Sequence, residues 1–91
     1  MTVKVHVFYW KAAPYLGIKR GERIGHLYSD VEDIEELLEA GRSMGLPDTW
    51  LKKLKSPIHY DVWDNKVTMA MQRFQVVGNQ EFREDIRGLK T

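Results

Sequence analysis

Ile58-His59-Tyr60-Asp61-Val62 reads as a strand with two different faces. Successive side chains of an extended chain point to opposite sides, so Ile58, Tyr60 and Val62 share one face and His59 and Asp61 the other. The first face is apolar and belongs on a core. The second sets an imidazole beside a carboxylate, a pair able to move protons or hold a metal ion. The same pair also fits a structural role, in which Asp61 only accepts a hydrogen bond from His59 or from nearby backbone. Placed between two helical patterns, this strand marks the chain as one that alternates strands with helices.

Upstream, Ser56-Pro57 closes a short helical turn over residues 47–55, because the residue before proline is held out of helical geometry. Trp50, Leu51 and Leu54 form its apolar side, and Lys52, Lys53 and Lys55 its solvated side. Before it, a helix opens at Ser29, with Glu32 three residues on as in a capping box. Val31, Ile34, Leu37, Leu38, Gly41 and Met44 make its apolar stripe. Its acidic first turn suits the helix dipole and argues against an anion docking there. Gly45 is placed to end the helix in left-handed backbone, and Pro47 can open the next turn. Residues 24–29, Ile-Gly-His-Leu-Tyr-Ser, read as a second strand. Residues 3–9 read as a first, with Val3, Val5 and Val7 inward and His6 a half-exposed filler on the other face.

Between those two strands runs a segment with Pro14, Gly17 and Gly21, of loop composition. Its basic residues Lys11, Lys19, Arg20 and Arg23 stand near Tyr9, Trp10 and Tyr15, a mixture that can stack and clamp a nucleotide or a nucleic-acid strand. It is not a phosphate loop, since no Gly-Lys-Ser/Thr ending follows the glycines. Downstream, Asp64 caps a helix with Val67, Ala70, Met71 and Phe74 at helical spacing. Residues 74–77 form a last short strand. Asn79 then caps a terminal helix with Phe82, Ile86 and Leu89 on one side.

This order predicts one α/β domain over residues 1–91, with a mainly parallel sheet of three to four strands and helices packed on it. In such sheets sites gather beyond the carboxyl ends of strands, where Asp30, Asp61 and the segment from Trp10 to Gly21 fall. An apolar share of 43% in 91 residues is ordinary for one globular core. Fourteen Lys plus Arg against thirteen Asp plus Glu leave a net charge of +1, too balanced for a global attraction to nucleic acid. The absence of cysteine excludes disulfides and thiolate chemistry. The start, Met1-Thr2-Val3-Lys4, lacks the apolar centre of a signal peptide, so the expectation is a soluble cytoplasmic protein with no membrane partner.

The run from Gly21-Glu22-Arg23-Ile24-Gly25-His26-Leu27-Tyr28-Ser29-Asp30, then Glu36-Leu37, Gly45-Leu46-Pro47, His59-Tyr60-Asp61-Val62 and Lys66, resembles a bacterial and phage family. That family is catalogued as a domain of unknown function, number four thousand and thirty-one in its series. The likeness covers about residues 15–89 and rests on the order of His-Leu-x-Ser-Asp and His-Tyr-Asp. It implies a polar signature of His26, Asp30, His59, Tyr60, Asp61 and Lys66. Where relatives place an acidic residue or proline and then arginine after strand one, this chain has Phe8-Tyr9-Trp10-Lys11. No activity comes with the family.

Two functions of different class follow. One is a binding module for a small polar, nucleotide-like ligand or a partner protein of the host. In it Trp10, Tyr15, Trp50 and Trp63 offer contact surface, Lys11, Lys19, Arg20 and Arg23 charge, and Asp30, Tyr60 and Lys66 polar contacts. The other is a hydrolase in which His26, Asp30, His59 and Asp61 bind a divalent metal, or one histidine acts as a base oriented by an aspartate. The catalytic candidates are then His59, Asp61 and His26, which meet only if their strands are neighbours. Nucleic-acid binding is a weaker third reading, because the acidic helix over 30–39 would have to face away. A domain this small also completes its core readily by pairing with a second copy.

Overall fold

The computed structural model describes residues 2–9, 23–54 and 57–89. Among these residues five strands form one sheet: β1 (Val3–Tyr9), β2 (Arg23–Ser29), β3 (Leu51–Lys52), β4 (His59–Trp63) and β5 (Gln75–Val77), in the spatial order β3-β4-β2-β1-β5. Helices α1 (Ile34–Ser43), α2 (Asn65–Arg73) and α3 (Asn79–Leu89) complete it. Among the described residues no helix is long and apolar enough to cross a membrane.

The sheet is mixed and mostly antiparallel, which corrects the expected parallel one. β1 with β2, β2 with β4 and β3 with β4 are antiparallel pairs; among the described residues only β1 with β5 is parallel. Strand-helix-strand alternation does produce strands of one direction here, since β2-α1-β3 and β4-α2-β5 each begin and end on parallel strands. Those strands are not neighbours. β4 is inserted between β2 and β3, and β2 and β1 between β4 and β5. Periodicity reports an element's type, whereas insertion of this kind depends on contacts far apart in sequence.

Register sorts the side chains into two faces. On one, Val5, Leu27, Tyr60 and Leu51 lie on a single rung of the ladder, all buried. Val3 and Val62 extend this face, and Leu37 and Ala40 of α1, Met44 just beyond it, and Val67 and Ala70 of α2 close over it as the core. Removing each large side chain from water contributes roughly 1.5–3 kcal/mol. A glycine lets α1 come close to the sheet: a Cβ on Gly41 would lie 2.5 Å from Cζ of Tyr60. The opposite face carries Lys4, His6 and Phe8 from β1, Ile24, His26 and Tyr28 from β2, and His59, Asp61 and Trp63 from β4.

Local sequence chemistry places the helix ends, with some departures from expectation. Asp33, not Ser29, caps α1, accepting from the Glu36 amide at 3.1 Å. Ser29 ends β2 instead, and its hydroxyl accepts from the Asp33 amide at 2.9 Å, shaping the turn that carries Glu32 at a φ of 53°. Val31 is therefore outside the helix and 62% exposed. Gly45, at a φ of 75°, ends α1 as its position implied. The expected helix over 47–55 reduces to one 3-10 turn, Asp48–Trp50, because Leu51 and Lys52 gain more by pairing with β4. Asp64 precedes α2, but its side chain makes no capping bond and its φ is 57°.

Candidate metal centre

Three of the sequence candidates meet on the second face. His26 lies directly across from Asp61 in the β2–β4 ladder, and His59 precedes Asp61 by two residues on the same side of β4. Nε2 of His59 is 3.1 Å from Oδ1 of Asp61, and Nε2 of His26 is 3.7 Å from the same oxygen. One ligand atom from each of the three lies within 4.8 Å of the others. A metal bound at about 2.1 Å holds tetrahedral ligand atoms about 3.4 Å apart, so the two shorter distances are those of a cluster near bonding geometry.

The other nitrogen of each ring is already engaged. Nδ1 of His59 is 2.7 Å from the Pro57 carbonyl oxygen, which can only accept, so Nδ1 carries the proton. Nδ1 of His26 is 3.3 Å from Nδ1 of His6, and Nε2 of His6 is 2.6 Å from Oδ1 of Asn79. An amide oxygen accepts, so His6 donates from Nε2 and its Nδ1 accepts from His26. Burial pushes the His6 imidazolium below the usual histidine range against the bond to Asn79, which raises it, and the charge of Arg83 pushes it further down. Both imidazoles thus direct Nε2 at one carboxylate oxygen. The bond from His59 holds the Asp61 carboxyl below the ordinary aspartate range; burial opposes this, and the charges of His59, His26 and Lys52 reinforce it.

α3 walls one side of this cluster. Phe82 stacks on His6 at 4.1 Å between ring centroids and 9° between planes, and lies 5.4 Å from His26. The helix is tied down at Lys4, whose Nζ is 3.1 Å from Asp30, 3.1 Å from Glu81 and 3.0 Å from Asp85. Burial lowers the Lys4 pKa, but the bonds to Asp85, Glu81 and Asp30 outweigh it and hold it above the lysine range. Tyr28 donates to Asp85 at 2.6 Å. On the β4 side the ring of Trp63 stacks with Trp50 at 5.7 Å, beside a cleft of about 240 Å³ that Asp61 also lines.

The structure separates the remaining candidates from this cluster. Asp30 belongs to the Lys4 network. Tyr60 is fully buried on the opposite face, and the Lys66 ammonium donates to the Met44 carbonyl. Arg23 lies in β2, while Trp10, Lys11, Tyr15, Lys19 and Arg20 fall outside the described residues. His6, expected as a half-exposed filler, is instead buried between β1 and α3, and Asn79, expected only as a helix cap, holds its ring. The alternation of β1 puts His6 on the polar face, but only the register places it opposite His26.

What these elements define is a small mixed α/β domain with a two-histidine, one-carboxylate cluster on the second face of its sheet. The chain belongs to the family described as Protein of unknown function (DUF4031), whose model matches residues 13–85, in agreement with the resemblance read from the sequence. No curated protein and no solved structure matches the chain significantly.

Proposed function

We propose that this domain binds a divalent transition metal through Nε2 of His26, Nε2 of His59 and the carboxylate of Asp61. The observation that carries the reading is the convergence of two imidazole nitrogens on one carboxylate oxygen, at 3.7 and 3.1 Å, with each ring's Nδ1 held by another group. Such outer bonds orient ligating histidines and fix their tautomers. Nitrogen and carboxylate donors without thiolate suit zinc, iron or manganese.

The same geometry disfavours a histidine base oriented by aspartate. In the serine-hydrolase arrangement the orienting carboxylate accepts a hydrogen bond from Nδ1–H and leaves Nε2 for the substrate. Here Asp61 faces Nε2 of both rings, and Nδ1 of each is occupied as well. Three protein ligands leave a coordination position for water or for an oxygen atom of a small polar ligand, the arrangement of metal centres that act on ligands rather than only support a fold.

The test is titration of the purified chain with Zn²⁺ and Co²⁺, following zinc by competition with a chromophoric chelator and cobalt by its visible absorption. One ion per chain is expected, with affinity lost by at least tenfold in both His59→Ala and Asp61→Asn. Absence of stoichiometric binding, or binding indifferent to both substitutions, overturns the reading.

A further inference from the structure

We propose that His6 and Asn79 are positioning residues for this centre, a hydrogen-bonded chain that starts on the first residue of α3 and sets which nitrogen of His26 meets the metal. The inference rests on the metal reading above and extends it to side chains that touch no ion.

The chain is continuous in both strand register and atoms. His6, His26 and Asp61 are successive partners across β1, β2 and β4, and Val77 of β5 pairs with His6 on the far side. Asn79 therefore enters α3 close beside the His6 ring and accepts from its Nε2 at 2.6 Å rather than capping the helix in the usual way. That bond leaves Nδ1 of a neutral His6 as an acceptor, facing Nδ1 of His26 at 3.3 Å. His26 fills it only with its proton on Nδ1, and the lone pair then lies on Nε2, towards Asp61. The other tautomer of His26 would set two lone pairs against each other at Nδ1 and direct a proton into the cluster.

His6 is poorly placed to change its orientation. It is 6% exposed, with Phe82 against it at 4.1 Å and Phe8 at 5.2 Å, both rings close to parallel with its own. A ring clamped this way presents its acceptor in one direction. His59 receives the equivalent service from the Pro57 carbonyl, which no side-chain substitution removes. The two ligand histidines are thus oriented by different means, one by backbone and the other by α3. Loss of an outer-shell partner typically weakens metal binding 10- to 100-fold.

The experiment compares the full chain with Asn79→Leu, which lacks the acceptor, and His6→Phe, which keeps the stack but has no ring nitrogen. Zn²⁺ affinity is read by chelator competition. The His26 tautomer is read in the metal-free protein from long-range ¹H–¹⁵N correlations of the imidazole. Expected are a 10- to 100-fold loss of affinity in Asn79→Leu and His6→Phe, and a His26 proton on Nδ1 in the parent that shifts towards Nε2 in Asn79→Leu. Unchanged affinity in Asn79→Leu and His6→Phe overturns the positioning role while leaving the metal reading intact. A His26 proton on Nε2 in the parent overturns it even if those variants fail to fold. A parent chain that binds no Zn²⁺ overturns the metal reading and this inference together.

Discussion

Nε2 of His59 and Oδ1 of Asp61 stand 3.1 Å apart, with the Nδ1–H of His59 already donating to the Pro57 carbonyl. Two lone pairs cannot share that separation unaided, so a proton or a cation must lie between them. A metal that replaces the proton binds the folded chain and not the unfolded one, and stabilises it by mass action. Free Zn²⁺ at a hundred times its dissociation constant contributes about 2.7 kcal/mol. For a chain of this size that corresponds to a rise of roughly 10–20 °C in the unfolding midpoint. Thermal unfolding followed by far-ultraviolet dichroism should show this rise, its reversal by a chelator, and its loss in Asp61→Asn. A midpoint that ignores both metal and chelator contradicts the assignment.

Gly41 is the point at which α1 can approach the sheet. Alanine is favoured over glycine in a helix by about 1 kcal/mol, so intrinsic preference alone would make Gly41→Ala stabilising. The added Cβ would lie 2.5 Å from Cζ and 2.6 Å from Oη of Tyr60, a fully buried ring that packs against the core. Overpacking of this kind costs about 1–3 kcal/mol, and here it should exceed the helix gain. Urea unfolding is expected to give a lower midpoint for Gly41→Ala. A higher one would mean that α1 moves away from the sheet without cost.

Element types were legible because their signals are local. The alternation in Val3–Tyr9 and the three-four spacing in α2 and α3 survive in the structure with small shifts of boundary. The end of α1 was legible for a similar reason, since left-handed backbone at Gly45 favours glycine. What was not legible depended on pairing. Leu51 and Lys52 look helical until β4 offers them an edge, and Ser29 looks like a cap until its hydroxyl is spent on the Asp33 amide. Asp33-Ile34-Glu35-Glu36 carries the same acceptor-and-acid spacing as Ser29 to Glu32, and the choice between them is made by where β2 stops.

The candidate centre divides along the same line. His59 and Asp61 were readable as a pair because two residues along a strand share a face at any register. His26 joins them only because β2 and β4 are antiparallel neighbours with His26 opposite Asp61; a shift of one residue would turn it into the core. The expectation that polar residues gather at strand ends placed Asp30 with this group, whereas the three residues that meet lie on the face of the sheet. His6 carries no motif, and its role depends on α3 arriving from the far end of the chain.

Tyr60 shares its strand with the centre but serves the other face. Its Oη is buried with no hydrogen-bond partner among the described residues. Leaving such a group unsatisfied costs about 1–3 kcal/mol, and phenylalanine keeps the ring while removing the cost. Tyr60→Phe should therefore fold with equal or greater stability, by up to about 2 kcal/mol in denaturant unfolding. Its metal affinity should match that of the parent, since Tyr60 points away from His59 and Asp61. A clear loss of stability would show that the hydroxyl has a partner that favours the fold.

Lys4 anchors α3 through three carboxylates, and this makes the fold sensitive to alkali. Its pKa is raised in the folded state, so its contribution is complete below the unfolded lysine value, about 10.4, and is lost as pH climbs through the folded value. Tyr28 acts in the same direction. Burial, reinforced by its bond to Asp85, pushes its phenol above the usual range, so the unfolded chain ionises first as pH passes about 10 and gains stability relative to the folded one. Denaturant unfolding measured between pH 7 and 11 should show stability constant at first and falling above about pH 10. Lys4→Met leaves Asp30, Glu81 and Asp85 facing one another without their cation and should cost about 3 kcal/mol at neutral pH. Its alkaline decline should be shallower than the parent's, because Tyr28 alone remains to produce it. Equal slopes in the two proteins would place the alkaline sensitivity elsewhere than in the Lys4 network.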